Sequence, residues 1–288
     1  MKKLLLTGST GFIGKSFYEK FYSKYNIQTF SFRYDDFSNL HLEETDTILH
    51  LSALVHQNPE KEYNEYKKVN VEQTLCLANK AKESGVKHFI FVSTIAVYGK
   101  DNGIIDENTL CKPQTNYAKT KLEAEKELQQ LQSSDFKVSI VRIPIVTGHR
   151  APGNMTSLIK LIKRVSFLPF DKITNRRSML FIDNFLYLID LTIEKKIEGI
   201  LLFSDSETIS TTRLVKLIAC ALEKKIYLFS IPFFKDIIKM WTPSIYNKLF
   251  LSLEIDNEKT MKKLLIDTNS LPYTIEESIK VMIKGKDQ

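Results

Sequence analysis

The stretch that decides the fold is Leu4-Leu5-Leu6-Thr7-Gly8-Ser9-Thr10-Gly11-Phe12-Ile13-Gly14, close to the N-terminus. An apolar run typical of a buried strand leads into three evenly spaced glycines, and a helical pattern follows. Gly8 and Gly11 let the backbone turn tightly and approach a diphosphate, whose charge is favoured at a helix N-terminus. Gly14 lets the helix pack closely against the strand. The stretch predicts a strand–turn–helix unit that binds a diphosphate, although a glycine-rich turn without a ligand fits the same spacing.

Strand-length apolar runs alternate with amphipathic stretches through the first half of the chain. The predicted strands are Lys3–Leu6, Gln28–Phe32, Thr47–Leu51, His88–Val92 and Val138–Arg142. The predicted helices are Ile13–Tyr25, Val69–Ser84 and Tyr117–Gln132. This alternation predicts right-handed βαβ units and a parallel sheet covered by helices on both faces. The linker 33–46 is short, so we expect a stunted crossover between the second and third strands.

The pattern changes after Gly148. The later predictions are a helix at Met155–Arg164, an apolar run at Met179–Ile182, a helix at Phe185–Glu194, a strand at Gly199–Phe203, and a helical tail from Thr211 with a short strand near Ile226–Phe229. The fold class is therefore α/β, a doubly wound parallel sheet with a smaller, mostly helical C-terminal domain. We expect residues 1–150 and about 178–205 to form the first domain, and 151–177 and 206–288 the second.

Composition excludes several classes of protein. The chain has 288 residues, of which 43% are hydrophobic and 26% charged, which is ordinary for a globular protein. Its three cysteines and five histidines lack metal-ligand spacing, so we expect reduced thiols and no metal. The apolar N-terminus is too short for a secretory signal, and no apolar run is long enough to span a bilayer. The expected location is the cytoplasm, without integral membrane association.

The formal net charge of +7 favours anionic ligands. The lysines are scattered among acidic neighbours, so a solvated surface is a better interpretation than a nucleic-acid interface, and no nucleic-acid partner is expected. The aromatic stretch Phe229–Leu253 contains Pro232, Pro243 and scattered lysines. It is interpreted as folded helices of the second domain, with contact to a membrane surface as the alternative.

A tyrosine and a lysine lie one helical turn apart in Tyr117-Ala118-Lys119-Thr120-Lys121. On a helix the two side chains share a face. An ammonium beside a phenol would lower the pKa of Tyr117 from about 10, so that it could give or take a proton near neutral pH. Taken alone, the spacing also fits two surface residues.

Hydroxyl side chains follow the predicted strand His88–Val92, where Ser93-Thr94 precedes Ile95-Ala96-Val97-Tyr98-Gly99. The carboxyl ends of parallel strands are where α/β sheets bind ligands. Thr94 could hydrogen-bond a substrate oxygen that Tyr117 protonates. Capping of the strand end by Ser93 and Thr94 is the alternative.

The order of these motifs along nearly the whole chain resembles the extended short-chain dehydrogenase/reductase family. The resemblance implies a Rossmann-type sheet, a nicotinamide dinucleotide and a nucleotide-sugar substrate. The implied catalytic residues are Thr94, Tyr117 and Lys121. Leu49-His50-Leu51-Ser52-Ala53 resembles the family's cofactor strand, and Val69-Asn70-Val71 its asparagine-bearing helix. The implied cofactor-binding residues are Gly8, Thr10, Gly11, Phe12, Ile13, Gly14, Arg33, Leu51, Ser52, Ala53, Tyr117, Lys121 and Pro144.

The resemblance also implies substrate contacts by Thr94, Asn154, Arg176 and Arg177. Asn154 matches a loop that contacts the nucleotide, and Arg177 an arginine that grips the pyrophosphate, with Arg176 assisting. Simple solvation of both arginines is the alternative. A homodimer formed through the helices near Val71–Ser84 and Tyr117–Gln132 is expected on the same basis.

Two departures from the family pattern narrow the activity. Dehydratases carry Asp-Glu directly after the catalytic threonine, where this chain has Ile95 and Ala96, so dehydration is not expected. NAD-binding relatives carry an acidic residue at the end of the second strand, where this chain has Arg33. Arginine there suits the 2′-phosphate, so NADP(H) is favoured. NAD(H) stays possible if Asp35 or Asp36 binds the ribose instead.

The segments Ala53-Leu54-Val55-His56, Ala151-Pro152-Gly153-Asn154 and Asn175-Arg176-Arg177-Ser178 resemble capsule and O-antigen enzymes. That resemblance predicts NADPH-dependent reduction of the C4 keto group of a UDP-4-keto-6-deoxy-N-acetylhexosamine, in bacterial surface-polysaccharide precursor synthesis. The alternative is a UDP-hexose or UDP-N-acetylhexosamine 4-epimerase with tightly bound NAD. A non-catalytic dinucleotide-sensing protein would be expected to have lost the Tyr117–Lys121 pair, which is intact.

Overall fold

The computed structural model describes residues 1–55, 59–267 and 270–285, without the side chain of Asn154. The strands are β1 (Lys3–Thr7), β2 (Asn26–Phe30), β3 (Thr47–His50), β4 (His88–Thr94), β5 (Gly103–Ile105), β6 (Lys137–Ile143), β7 (Val146–Thr147), β8 (Phe167–Leu168), β9 (Arg177–Ser178), β10 (Leu180–Phe181), β11 (Gly199–Leu202), β12 (Thr208–Ile209), β13 (Tyr227–Leu228) and β14 (Leu253–Ile255). The helices are α1 (Phe12–Phe21), α2 (Tyr63–Lys67), α3 (Gln73–Glu83), α4 (Asn116–Leu131), α5 (Asn154–Arg164), α6 (Ile182–Lys195), α7 (Thr211–Ala221), α8 (Phe234–Trp241), α9 (Pro243–Phe250), α10 (Glu258–Leu264) and α11 (Ile275–Lys284).

A six-stranded parallel sheet forms the centre of the molecule, in the order β2-β1-β3-β4-β6-β11. The predicted Rossmann-type fold class is confirmed. The chain crosses to opposite sides of β1 when it enters β2 and β3, which creates a crevice at the carboxyl ends of β1 and β3. Between β2 and β3 the structure has a single 3₁₀ turn, Phe37–Asn39, as expected for a stunted crossover.

The sheet buries a hydrophobic layer on each face because side chains alternate along every strand. Leu4 and Leu6 of β1 belong to the core shared with α1 and α6. Leu5, between them, belongs to the opposite core with α3 and α4. Each fully buried leucine contributes about 1.5–3 kcal/mol relative to an exposed one, so both layers fix the register of β1.

A smaller sheet, in the order β12-β9-β14-β5, lies outside the central one. Leu253 of β14 pairs with both Gly103 of β5 and Arg177 of β9, so three distant parts of the chain meet there. Helix α7 packs against α5 and α11 beside this sheet. The domain boundaries given above stay a prediction.

The observed helices and strands begin and end at different residues from those predicted. The helix expected from Val69 begins at Tyr63, and a π-helical turn, Lys68–Glu72, joins α2 to α3. The residues around Tyr66 are mostly charged and show no apolar periodicity that would predict a helix, although Tyr66 itself is buried. Among the described residues, the structure has no helix whose length and apolar character would let it cross a membrane.

Candidate active site

The glycine turn after β1 has the close packing that its spacing predicts. Gly8 has a φ of +70°, and a Cβ on it would lie 2.8 Å from the backbone of Leu51 and Ser52. A Cβ on Gly14 would lie 2.2 Å from the carbonyl oxygen of Gly8. Gly11 is the N-cap of α1 and supplies no side chain to the first-turn N–H groups. The turn therefore fits a diphosphate, because these N–H groups and the helix dipole favour an anion.

A hydrogen-bonded chain fixes the loop that follows β3. The backbone N–H groups of Leu51 and Ser52 each donate to Thr7 Oγ1 at 3.2 Å. His50 lies between two threonines, with Nδ1 2.9 Å from Thr7 Oγ1 and Nε2 3.0 Å from Thr74 Oγ1. Burial lowers the pKa of His50 to about 3, so the ring is neutral. The role of Thr7 and Thr74 has no local signal in the sequence.

Asn70 ties that loop to the helix that carries Tyr117. Asn70 Oδ1 accepts from the backbone N–H of Leu54 at 2.8 Å, and Nδ2 donates to the carbonyl oxygen of Leu54 at 3.0 Å. The same Nδ2 lies 3.2 Å from Thr120 Oγ1 on α4. The buried amide therefore holds the predicted cofactor loop and the predicted catalytic helix together, from the π-helical turn between α2 and α3.

The three predicted catalytic residues come from β4 and α4, which pack against each other. Thr94 ends β4, and its Oγ1 accepts from the backbone N–H of Ala96 at 3.2 Å, the capping contact considered above. Tyr117 lies in the first turn of α4, half-buried, with its ring 6.4 Å from that of Tyr66. The ammonium of Lys121 is buried 3.7 Å from the ring centre of Phe91 on β4.

The expected lowering of the Tyr117 pKa is wrong. Burial raises the pKa of Tyr117 to about 12, and Tyr66 adds to the increase. Burial also lowers the pKa of Lys121 to about 7, against an opposing effect of Glu125. The prediction considered the distance between the two groups and neglected the cost of burying both. Tyr117 is therefore protonated at neutral pH.

A buried ionic cluster beneath these residues was missed by sequence reasoning. Glu125 lies one helical turn after Lys121, and it binds Arg142 of β6 through Nε at 3.1 Å and Nη2 at 2.6 Å. Nη1 of Arg142 donates to the Tyr98 hydroxyl at 2.7 Å, and Ser93 Oγ donates to Glu125. Glu125 and Arg142 are only 1% and 4% exposed. A charged residue inside an apolar strand was the available signal, since such a residue requires a partner.

The remaining predicted residues belong to other elements of the fold. Arg176 is exposed and pairs with Glu254, with Nε 2.8 Å from Oε2. Arg177 donates through Nη1 to the carbonyl oxygens of Asn247 at 3.0 Å and Leu251 at 3.2 Å. Burial lowers the pKa of Arg177, against an opposing effect of Asp101. Pro144 is buried directly after β6, and Asn154 begins α5, with its side chain outside the described residues. His56, quoted for the capsule-enzyme resemblance, also lies outside them.

A cleft of about 720 Å³ opens beside the N-terminus of α1. Its lining includes the predicted cofactor residues Thr10, Gly11 and Phe12. Its charged lining is mixed, with the cations Lys15, Lys20 and Arg150 and the carboxylates Glu19 and Asp183. Within residues 1–55, 59–267 and 270–285, no group of three or more His, Cys, Asp or Glu side chains is arranged to hold a metal ion.

Comparison with known proteins defines the class. The model of the NAD dependent epimerase/dehydratase family matches residues 4–201, and the chain belongs to that family. UDP-glucose 4-epimerase of Vibrio cholerae is 32% identical over 289 residues, covering 90% of this chain and 85% of that protein. N-acetyl-alpha-D-glucosaminyl-diphospho-ditrans,octacis-undecaprenol 4-epimerase of Escherichia coli O157:H7 is 27% identical over 250 residues, covering 80% and 75%. RMD of Pseudomonas aeruginosa, solved with NADPH, has a TM-score of 0.79 at 17% identity, covering 99% and 98%, and supports the fold alone.

Proposed function

We propose that this chain is a 4-epimerase of diphosphate-linked hexoses or N-acetylhexosamines that works with NAD. Both curated relatives described above are 4-epimerases of sugars linked through a diphosphate. Their shared reaction fits the combination of a glycine turn, a Thr94–Tyr117–Lys121 set and non-ionisable side chains at Ile95 and Ala96. The predicted 4-ketoreductase would use the same residues, and the two activities differ in how they use the cofactor.

The observation that carries the proposal is the position of Asp35. Its Oδ2 accepts from the backbone N–H of Ser31 at 2.8 Å, immediately after β2 ends at Phe30. A carboxylate at the end of this strand suits the ribose hydroxyls of NAD. Arg33, on which the expected preference for NADP(H) rests, is exposed, as is Asp35, and its guanidinium carbon lies 5.7 Å from the Tyr34 ring centre. We therefore favour NAD, and preference for NADP(H) is the competing prediction.

The protein's own groups account for the proton transfers of epimerisation. The chemistry that NAD would supply here is reversible hydride transfer at C4 of the sugar, and the glycine turn after β1 would hold its diphosphate. Tyr117 takes the proton of the C4 hydroxyl and later gives it back, and Thr94 donates a hydrogen bond to the same oxygen. Lys121 contributes positive charge on the same helical face as Tyr117. Since burial raises the pKa of Tyr117 to about 12, its phenol must lose its own proton before it can take one from the sugar.

The test is a pair of assays with the purified protein. The epimerase proposal expects UDP-N-acetylglucosamine or UDP-glucose to interconvert with its C4 epimer, followed by proton NMR, without net reduction of NAD. It also expects Asp35→Ala to weaken NAD binding more than Arg33→Ala does. Stoichiometric oxidation of NADPH by a UDP-4-keto-6-deoxy-N-acetylhexosamine, without epimer formation, would instead establish the ketoreductase and overturn the proposal.

A further inference from the structure

Helix α8 exposes a band of large apolar side chains. Ile237, Met240 and Trp241 lie on one face of the helix, and Phe233 directly precedes its first residue. Phe233, Met240 and Trp241 are 72–77% exposed. The apolar positions Phe234 and Ile238 border this band and are half-buried, and the Phe234 ring lies 6.1 Å from that of Phe250 on α9. The helix therefore uses one part of its apolar surface for packing and leaves the other part in solvent.

This exposed apolar face comprises Phe233, Ile237, Met240 and Trp241, and Ile231 and Ile245 are exposed on either side of it in sequence. On the strand pair that leads to it, the exposed rings of Phe167 and Tyr227 stack 5.2 Å apart. Clustered apolar side chains of this size are uncommon on the surface of a monomer and mark an interaction site.

The charge around the face is positive. Between Phe229 and Leu253 the chain has three lysines and one aspartate. The ammonium groups of Lys235 and Lys239 lie 6.0 and 5.8 Å from the ring centre of Tyr246 on α9, and Lys248 is exposed on the same helix. A helix with apolar side chains on one side and lysines on the other matches an anionic phospholipid surface, where the apolar side enters the headgroup region and the lysines attract the phosphates.

The face is also connected to the candidate substrate site. Helix α9 packs against α8, and the carbonyl oxygens of Asn247 and Leu251 at its end accept from Arg177. Arg177 is the residue proposed to bind the substrate diphosphate. A membrane surface in contact with α8 would therefore lie one helix away from the proposed diphosphate position.

We propose that α8 and α9 dock on an anionic membrane surface, with Phe233, Ile237, Met240 and Trp241 entering the headgroup region. Docking would let the site take a sugar diphosphate held in the membrane by a polyprenyl chain as well as a soluble one. This second part rests on the proposed epimerase function, and the docking itself does not.

The chain has a single tryptophan, Trp241, so its fluorescence reports directly on the face. Vesicles of phosphatidylcholine with about 30 mol% phosphatidylglycerol are expected to shift its emission to the blue and to protect it from acrylamide. In a cosedimentation assay, Phe233→Ser with Met240→Ser should lower the partition coefficient about ten-fold or more. The matched control is Leu110→Ser, at a leucine that is 70% exposed elsewhere, and it should leave partitioning unchanged.

Unchanged emission and no cosedimentation, in protein with a normal circular dichroism spectrum, would overturn the proposal. Protection of Trp241 without vesicles, with a concentration-dependent mass by light scattering, would assign the face to self-association and also overturn it. Equal binding to pure phosphatidylcholine would refute the role of the lysines. None of these measurements uses a sugar or a cofactor, so failure of the epimerase proposal would not affect them.

Discussion

Replacing Glu125 by glutamine tests whether the buried ion pair with Arg142 stabilises the contact between α4 and β6. In the native chain, Glu125 accepts from Nε and Nη2 of Arg142 and from Ser93 Oγ. The substitution preserves the shape of the side chain and removes its charge. Arg142 would then keep a buried guanidinium without its counter-charge, while its bond to the Tyr98 hydroxyl stays.

The expected loss follows from this burial. Removing one partner of a buried pair typically costs about 3–5 kcal/mol, because the remaining charge is neither hydrated nor compensated. Arg142 is 4% exposed, so water cannot replace the carboxylate without local opening. A single-domain protein is stable by about 5–15 kcal/mol, so Glu125→Gln should lower the free energy of unfolding by a large fraction. Replacing both residues, as Glu125→Leu with Arg142→Met, should cost much less than the sum of the single changes.

Urea unfolding followed by circular dichroism measures both effects. Glu127→Gln is the matched control, because it makes the same change on a half-exposed residue of α4 and should alter stability by less than about 0.5 kcal/mol. A loss below about 1 kcal/mol for Glu125→Gln would refute the argument, because the pair would then behave as an exposed one. Strict additivity in the double variant would refute the coupling between the two residues.

Three further predictions follow from the site. Tyr117→Phe should lower turnover by about 10²–10⁴-fold with cofactor binding retained. Tyr63→Phe, at a tyrosine hydrogen-bonded to Glu123, is the control. Equal losses of turnover in the two variants would refute the proposal that Tyr117 transfers the proton. Burial lowers the pKa of Lys121 from 10.5 to about 7, so between about pH 7 and pH 10 only the unfolded lysine keeps its proton. The free energy of unfolding of the native chain, relative to that of Lys121→Met, should therefore rise with pH across this range. A difference that does not change with pH in urea unfolding would contradict this. Gly14→Ala should destabilise the protein by about 1–3 kcal/mol, because its Cβ would lie 2.2 Å from the Gly8 carbonyl oxygen. Gly11→Ala, whose Cβ would have its nearest atom at 3.3 Å, should cost less stability when both variants are compared by thermal unfolding.

The central sheet was predictable because its strands and helices alternate locally. Apolar runs such as the one before Gly8 identify a buried strand whatever lies beside it. Strands β5 and β14 were not predicted, because their partners lie far apart in sequence, as with Leu253 and Gly103. A three-residue strand is stabilised by this pairing, and its own residues carry little periodic signal.

The site was predictable where chemistry depends on spacing within one element, as for Tyr117 and Lys121. The site was not predictable where the properties of a residue depend on its burial. Sequence spacing places an ammonium one turn from a phenol, but it does not indicate that the phenol is half-buried and the ammonium fully buried. This burial reverses the direction of the Tyr117 pKa shift. The partnership of Glu125 with Arg142 depends likewise on the packing of α4 against the sheet.

The bonds of Asn70 to Leu54 and Thr120 make the cofactor loop and the catalytic helix mechanically dependent on each other. A ligand that further restricts the motion of the loop also restricts the helix turn that carries Tyr117. Binding of the first ligand then already includes part of the conformational entropy cost of ordering the site. The entropy cost of binding the second ligand is correspondingly smaller. By linkage, the cofactor and the sugar should each tighten the binding of the other, even without a change in the average structure.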